Sequence, residues 1–475
     1  MKKITLLTLS IFLVFALLSG YAQSGKVVEK IIEIGTTDNR TMDHLDVLCN
    51  RFGGRLVGSD AFENAAEWCA AQFREWGMEV EMDEAGEVPV GFNRGPWFGR
   101  LLGENGMNLH FATPSYTAGT KGVQKGHVVL EPKTQAEFDR MKGRLNGAWV
   151  LITGTNDGWP IDWSPEADAR RDSLIADNLE IAKKNREIRN ENRQLEEGEE
   201  PKERIPLNEE PALFYKQMRE AGILGIIQPS SIPIRALYDR KNIDRMTFET
   251  LPDVPDIKLD EHQYMIIEQM AKERRRFELE FDIRNHFKMG PVKYHNVIGI
   301  IRGTKYPDEY VIMGGHLDAY DVATGGVDDG SGLTPAMEAA RLIMKAGGKP
   351  RRTILVIAWA AEEFGLYGSK HWVEENGDKL DRISNMFNRD GGPTVANSLR
   401  VTEAMWDDVV KICEPLNGIN PDFPFTLEKA EPRRRPEEPR GTDSGPFAVA
   451  GVPTITFGTA DPKGYDFDYR EIWHT

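Results

Sequence analysis

In the C-terminal part of the chain, short apolar runs alternate with amphipathic stretches, and this rhythm restricts the fold more than any other feature. Residues 296–301 (NVIGII), 309–314, 353–360, 385–389 and 453–458 read as buried strands; 333–347, 366–376 and 405–416 read as helices between them. Strands that alternate with helices pair in parallel. The rhythm therefore predicts an α/β fold: a layered domain with a mostly parallel central sheet between helices.

The ends of these strands carry the chemistry. Val311-Ile312-Met313 is followed by two glycines, then His316 and Asp318, and a Gly-rich loop brings Asp328 and Asp329. Ile354–Trp359 leads to Glu362-Glu363, Met386-Phe387 to Asp390, and Thr454–Phe457 through a loop to His474. Sites in open α/β sheets form outside the carboxyl ends of strands, so these residues can converge. Taken singly, each has a plain explanation as a helix start, a cap or a turn. Together, two histidines and a set of carboxylates suit a pair of zinc ions, which take N and O ligands at about 2 Å. The helix after the loop carries Leu333, Met337, Ala340 and Met344 at helical spacing, a face that packs on the sheet and holds the loop. Pro335 fits the first turn of that helix.

Composition sets outer limits. A chain of 475 residues has room for two domains, and 28% charged residues is ordinary for a globular protein. The net charge of −16 argues against nucleic acid as a partner, because phosphate binding needs a basic surface. At the N-terminus Lys2 and Lys3 precede an apolar run from Ile4 to Leu18, and Gly20 and Ala22 follow at signal-peptidase spacing. This layout predicts a cleaved signal peptide over 1–22, hence a secreted or periplasmic protein. No later stretch is apolar for long enough to span a bilayer, so no stable membrane insertion is expected after cleavage. Cys49 and Cys69 lie on neighbouring predicted helices and can either pair or remain two buried thiols; Cys413 stands apart.

Helices are predicted at 37–51 and 60–76, flanking Gly53-Gly54-Arg55-Leu56-Val57-Gly58-Ser59, with Ser59 or Asp60 as cap and Gly77 as stop. Strands are predicted at 78–92 and 97–112. A small α/β insert then covers 118–285, with a helix running into a strand over 211–229, a helix at 260–274 and a strand at 276–287. Within it, 165–205 is dense in charge and poor in apolar residues, which predicts a solvated helix or helical hairpin breaking at Gly198 and Pro201.

At this point the sequence resembles the co-catalytic di-zinc exopeptidases, the leucyl-aminopeptidase-like group that includes carboxypeptidase Q and glutamate carboxypeptidase II, with the carboxypeptidase Q branch nearest. The resemblance rests on GGHLDAYDVATGGVDDGSG, RRTILVIAWAAEEFGLYGS, NRDGG, GTDSGPFAVAGVP, the terminal WHT and the N-terminal GGRLVGS. The insert is similar to a protease-associated domain. The resemblance implies a catalytic domain in two parts, 23–117 and 286–475, around the insert at 118–285. It implies two zinc ions per chain: His316 and Asp390 on one, Glu363 and His474 on the other, Asp328 bridging. Asp318 would hold the His316 ring and Glu362 would be the general base. Periodicity does not decide between Glu362 and Glu363, and Asp329 competes for the role of Asp328; the family pattern favours the assignments given. It also implies a cis peptide after the bridging aspartate. The implied activity is that of an aminopeptidase or dipeptidase acting on short peptides. Relatives continue past the WHT motif with a further helix, so the chain is expected to be shortened at its C-terminus. A single-zinc acyltransferase like glutaminyl cyclase and a non-catalytic binding protein on the same fold are the competing readings. Arg433-Arg434-Arg435 and Arg440 read as a solvated loop or as a contact for a substrate carboxylate. His371 reads as a surface residue.

Overall fold

The computed structural model describes residues 25–103, 106–196, 199–237, 246–461, 463–465 and 469–475, so the signal-peptide reading lies outside the described residues. The chain forms two compact units, one from residues up to Val88 together with Val292–Thr475, the other from Pro89–Pro291. Among the described residues no helix is long and apolar enough to cross a membrane.

The first unit is the layered α/β domain. Thr454–Ile455, Ile383–Asn388, Tyr306–His316 and Arg352–Trp359 lie side by side in parallel. Residues 297–301 of a long strand then pair antiparallel with Arg352–Trp359. Ile298, Ile312, Leu355, Ile357, Trp359, Met386 and Phe447 form one continuous buried cluster in this unit. The helix Ser331–Lys345 turns Leu333, Met337 and Ala340 inward, each fully buried, while Met344 is only half-buried. Pro335 sits two residues further into this helix than the sequence suggests, because the helix already begins at Ser331. Helix Asp60–Glu75 is capped by Ser59, whose hydroxyl accepts the Phe62 N–H at 3.1 Å. Cys49 and Cys69 are free thiols, and burial pushes Cys69 up to about 12.

Three sequence readings in this unit need correction. The stretch 453–458 is two strands, Thr454–Ile455 in the main sheet and Phe457–Ala460 in a second one. That second sheet, with Val395–Val401 between Phe457–Ala460 and Thr426–Lys429, was not expected. Its strands are short and mostly exposed or half-buried, so they carry little apolar signal. The expected break before Asn296 is absent, since one strand runs Glu278–Ile301.

The second unit holds its own parallel strands, Gln124–Leu130, Ala148–Leu151, Gly225–Ser230 and Asp256–Asp260. Alternate residues feed two cores: Val150 and Ile226 on one face, Trp149, Leu151, Ile227 and Ile257 on the other. The strands read at 78–92 and 97–112 are instead one strand, Glu79–Leu102, followed by the short Phe111–Ala112. Asn93-Arg94-Gly95-Pro96 looks like a turn, but Gly95 serves close approach: a Cβ there would lie 2.3 Å from the Arg284 carbonyl oxygen.

The charged arm is a single helix, Pro165–Asn192, whose return over residues 199–210 is not helical; the break expected at Gly198 lies outside the described residues. Three asparagines spaced seven apart hold that return. Asn178 bonds both backbone groups of Asn208 at 2.8 and 2.9 Å, Asn185 those of Ile205 at 2.8 and 2.7 Å, and Asn192 those of Lys202 at 2.9 and 2.8 Å. Seven helical residues advance about 10.5 Å. Three residues of extended polyproline-like chain cover about 9.3 Å. The two periods match, so each asparagine meets the next free backbone pair.

Candidate metal centre

His316 ends its strand because Gly314 and Gly315 let the backbone press into the layers around it. A Cβ at Gly314 would lie 2.1 Å from the Ile357 carbonyl oxygen, and one at Gly315 would lie 2.5 Å from Asp329 Oδ2. The next residues form a second fixed point. The His316 Nδ1 lies 2.8 Å from the Asp318 carbonyl oxygen, while the Asp318 carboxylate stands 3.6 Å from the ring. That carboxylate instead accepts the N–H groups of Glu362 and Glu363 at 3.1 and 3.2 Å. Asp318 thus joins the His316 strand to the glutamate pair, by main chain on one side and side chain on the other.

The glutamate loop is held from behind by Asn296, which is fully buried. Its Oδ1 accepts the Ala360 N–H at 3.0 Å and its Nδ2 donates to the Gly368 carbonyl at 3.0 Å. Between these points Ala361 and Leu366 adopt positive φ of 57° and 64°. The Asp328–Asp329 peptide is cis. His474 is buried, with the Tyr320 ring edge-on at 4.6 Å, and the neighbouring Thr475 carbonyl accepts the Gly326 N–H at 2.8 Å.

Around these supports the candidate ligands converge on two points. His316 Nε2 faces Asp328 Oδ1 at 2.9 Å, Asp390 Oδ1 at 3.8 Å and Glu362 Oε2 at 4.0 Å. His474 Nε2 faces Glu363 Oε2 at 3.3 Å and Asp328 Oδ2 at 3.8 Å. Asp328 therefore presents one oxygen to each histidine. Ligand atoms cluster tightly enough for a metal in two groups, His316 with Asp329 and Asp390, and Asp328 with Glu363 and His474. Two donors about 2 Å from one tetrahedral ion sit about 3.3 Å apart, and the donor pairs here, at 2.9 to 3.8 Å, bracket that value. Asp329 is also engaged elsewhere: its Oδ2 accepts the His316 backbone N–H at 3.1 Å.

Electrostatics favour cations. Burial pushes the carboxyls of Asp329 and Glu363 well above the usual range, and that of Glu362 up to about 10. Burial also drives Asp443, which lines the same cluster, up to about 7. Burial raises Asp390 too, but the facing His316 ring and a hydrogen bond from Thr442 outweigh it and hold this carboxyl below the usual value. For His316 burial opposes the charged form, and the facing carboxylates of Asp318, Asp328 and Asp390 overcome it. Glu363 Oε1 is buried with no hydrogen-bond partner. Buried carboxylates on this scale cost several kcal/mol each unless cations face them. The donor set, its spacing and the orphaned oxygen all fit two divalent ions.

Sequence reasoning brought forward His316, Asp318, Asp328, Glu362, Glu363, Asp390 and His474, and all lie in this cluster. It did not single out Asn296, Tyr320 or Asp443. Asp443 sits inside the GTDSGPFAVAGVP stretch; it is completely buried, and its charge acts on Glu362 and Asp390. The arginines at 433–435 and 440 are exposed, and Arg435 Nε donates to the Val449 carbonyl at 2.6 Å.

Residues 296–475 match the family described as Peptidase family M28. The chain is 22% identical over 456 residues to carboxypeptidase Q of Rattus norvegicus, covering 92% of this chain and 80% of the relative. Over 91 residues it is 50% identical to the probable glutamate carboxypeptidase LAMP1 of Arabidopsis thaliana, 18% of this chain and 13% of that protein. A Peptidase M28 precursor from Shewanella amazonensis SB2B shares the fold, with a TM-score of 0.54 at 20% identity over 94% of this chain and 90% of its own. BSAP, a zinc aminopeptidase from Bacillus subtilis, does so with 0.51 at 17% identity over 92% and 88%.

Proposed function

We propose that this chain, whose residues 296–475 match peptidase family M28, is an exported exopeptidase that cleaves short peptides using two zinc ions and one general base. The match to peptidase family M28 supports zinc-dependent exopeptidase chemistry. The observation that carries it is Asp328, with one carboxylate oxygen toward His316 and the other toward His474.

In this reading His316 and Asp390 would hold one ion and Glu363 and His474 the other, with Asp328 as a shared ligand. Bound zinc supplies Lewis acidity, which acidifies a water and polarises a peptide carbonyl. The remaining work falls to the protein. Glu362, beside Glu363 but turned toward His316, takes a proton from water at a carboxylate oxygen and passes it to the leaving amine. Such proton handling is worth about a hundred- to ten-thousand-fold in rate. Asp318 keeps Glu362 and Glu363 in register with His316 through its three contacts. Burial of the cluster keeps bulk water from screening these charges. Export rests on the Lys2, Lys3, Ile4–Leu18 and Ala22 pattern.

The test is a substrate panel with added zinc: aminoacyl amides, dipeptides and N-blocked peptides. Hydrolysis of free-amine substrates supports an aminopeptidase or dipeptidase. Cleavage confined to N-blocked peptides, or cyclisation of N-terminal glutamine without hydrolysis, contradicts it.

A further inference from the structure

Arg55 lies in none of the metal-binding motifs, yet all three nitrogens of its guanidinium are used at the edge of the site. It is completely buried. Nε donates to the Leu317 carbonyl at 2.7 Å, Nη1 to Gly53 and Thr324 at 2.9 Å and to Leu48 at 3.3 Å, and Nη2 to Gly325 at 2.9 Å. Its own carbonyl accepts the Ala319 N–H at 3.1 Å. All its acceptors are main-chain oxygens. A buried cation held only by carbonyls has little to offer as an ion pair, but it fixes backbone with high directionality.

The carbonyls it holds are not scattered. Leu317 lies between His316 and Asp318, and Thr324-Gly325 opens the turn that delivers Asp328. The glycines around Arg55 are shaped to this contact. Gly325 has a φ of 62°, and a Cβ there would lie 2.3 Å from the Ala319 Cβ and 2.8 Å from Arg55 Nη2. A Cβ at Gly54 would lie 2.3 Å from the Asp321 Cα. The Gly-Gly-Arg segment is therefore seated against both ends of the loop from Leu317 to Gly325.

We propose that Arg55 is a positioning residue for the metal centre: by tying Leu317 to Thr324 and Gly325 it sets the spacing between His316 and Asp328. The inference rests on the two-zinc reading above. Residues that orient ligands typically change metal affinity about 10–100-fold when altered.

Arg55→Lys keeps the charge but cannot reach both sides of the loop. Gly325→Ala leaves Arg55 intact and pushes the loop off it, so it decides the matter if Arg55→Lys does not fold. Zinc affinity is measured by competition with a chromophoric chelator, and ligand geometry by the visible absorption of the cobalt-substituted full-length chain. The expected result is zinc binding weakened about 10–100-fold, with an altered cobalt spectrum, in folded variants. Folded variants with wild-type zinc affinity and cobalt spectrum, even at reduced melting temperature, overturn the role of Arg55 alone. A wild type that takes up no zinc overturns the two-zinc reading and this inference with it.

Discussion

Glu362 and Glu363 are chain neighbours to which the proposed mechanism gives opposite duties, and substitution should separate them. Glu362→Gln keeps a side chain of the same shape and removes the proton acceptor. It should retain both zinc ions and lose about a hundred- to ten-thousand-fold in kcat, read by metal analysis and steady-state kinetics. Zinc loss in that variant would contradict its role. His316→Ala removes a donor that faces Asp328 and Asp390. It should lose zinc, and a variant with two ions and full activity would reject the site assignment. These side chains were legible in the sequence because each follows a buried strand, and strand ends converge. Arg55 and Asn296 were not, because their partners are backbone carbonyls and amides far along the chain, which no local pattern records. Asp318 was legible as a support but not in its manner of contact. Whether its carbonyl or its carboxylate meets the ring depends on a turn that residue types do not specify.

The arm helix Pro165–Asn192 and its extended return form a device that the charge pattern concealed. High charge density suggested only solvation, while the working residues are the asparagines at 178, 185 and 192. Changing all three to alanine removes six hydrogen bonds to backbone groups. At about 1 kcal/mol per bond the return segment should come free. Trypsin should then cut at Lys202 and Arg204 much faster than in the wild type, with exopeptidase activity unchanged. The short helix Thr41–Asp46 offers a pH test. Burial lowers the His44 pKa below its ordinary value, partly opposed by nearby Glu338. The unfolded chain then binds the proton more readily than the fold does. Stability is full above about pH 6.5 and falls as pH drops through the lowered folded value. The melting temperature of His44→Gln should fall less over that window than that of the wild type. An identical slope would show that His44 does not contribute. Strand extents proved harder to read than helices, since Gly and Pro signals at 93–96 and 290–291 mark close approach rather than a break.

Two compact units with separate cores should respond differently to metal removal. All candidate ligands lie in the unit that contains Val292–Thr475. Zinc at a thousand times its dissociation constant stabilises the fold that holds it by about 4 kcal/mol. A chelator should therefore lower one calorimetric transition by several degrees and leave the transition of Pro89–Pro291 in place. The α/β class was legible because apolar rhythm reports layers directly. The second sheet was not, because its strands are short and largely uncovered. The account as a whole depends on a pair of ions shared through Asp328. The most direct measurement is zinc per chain, by mass spectrometry of the metal, in wild-type protein saturated with zinc and freed of loosely bound ions. The account predicts two for the wild type, two for Glu362→Gln and fewer for His316→Ala. One ion, or none, in the wild type would contradict it.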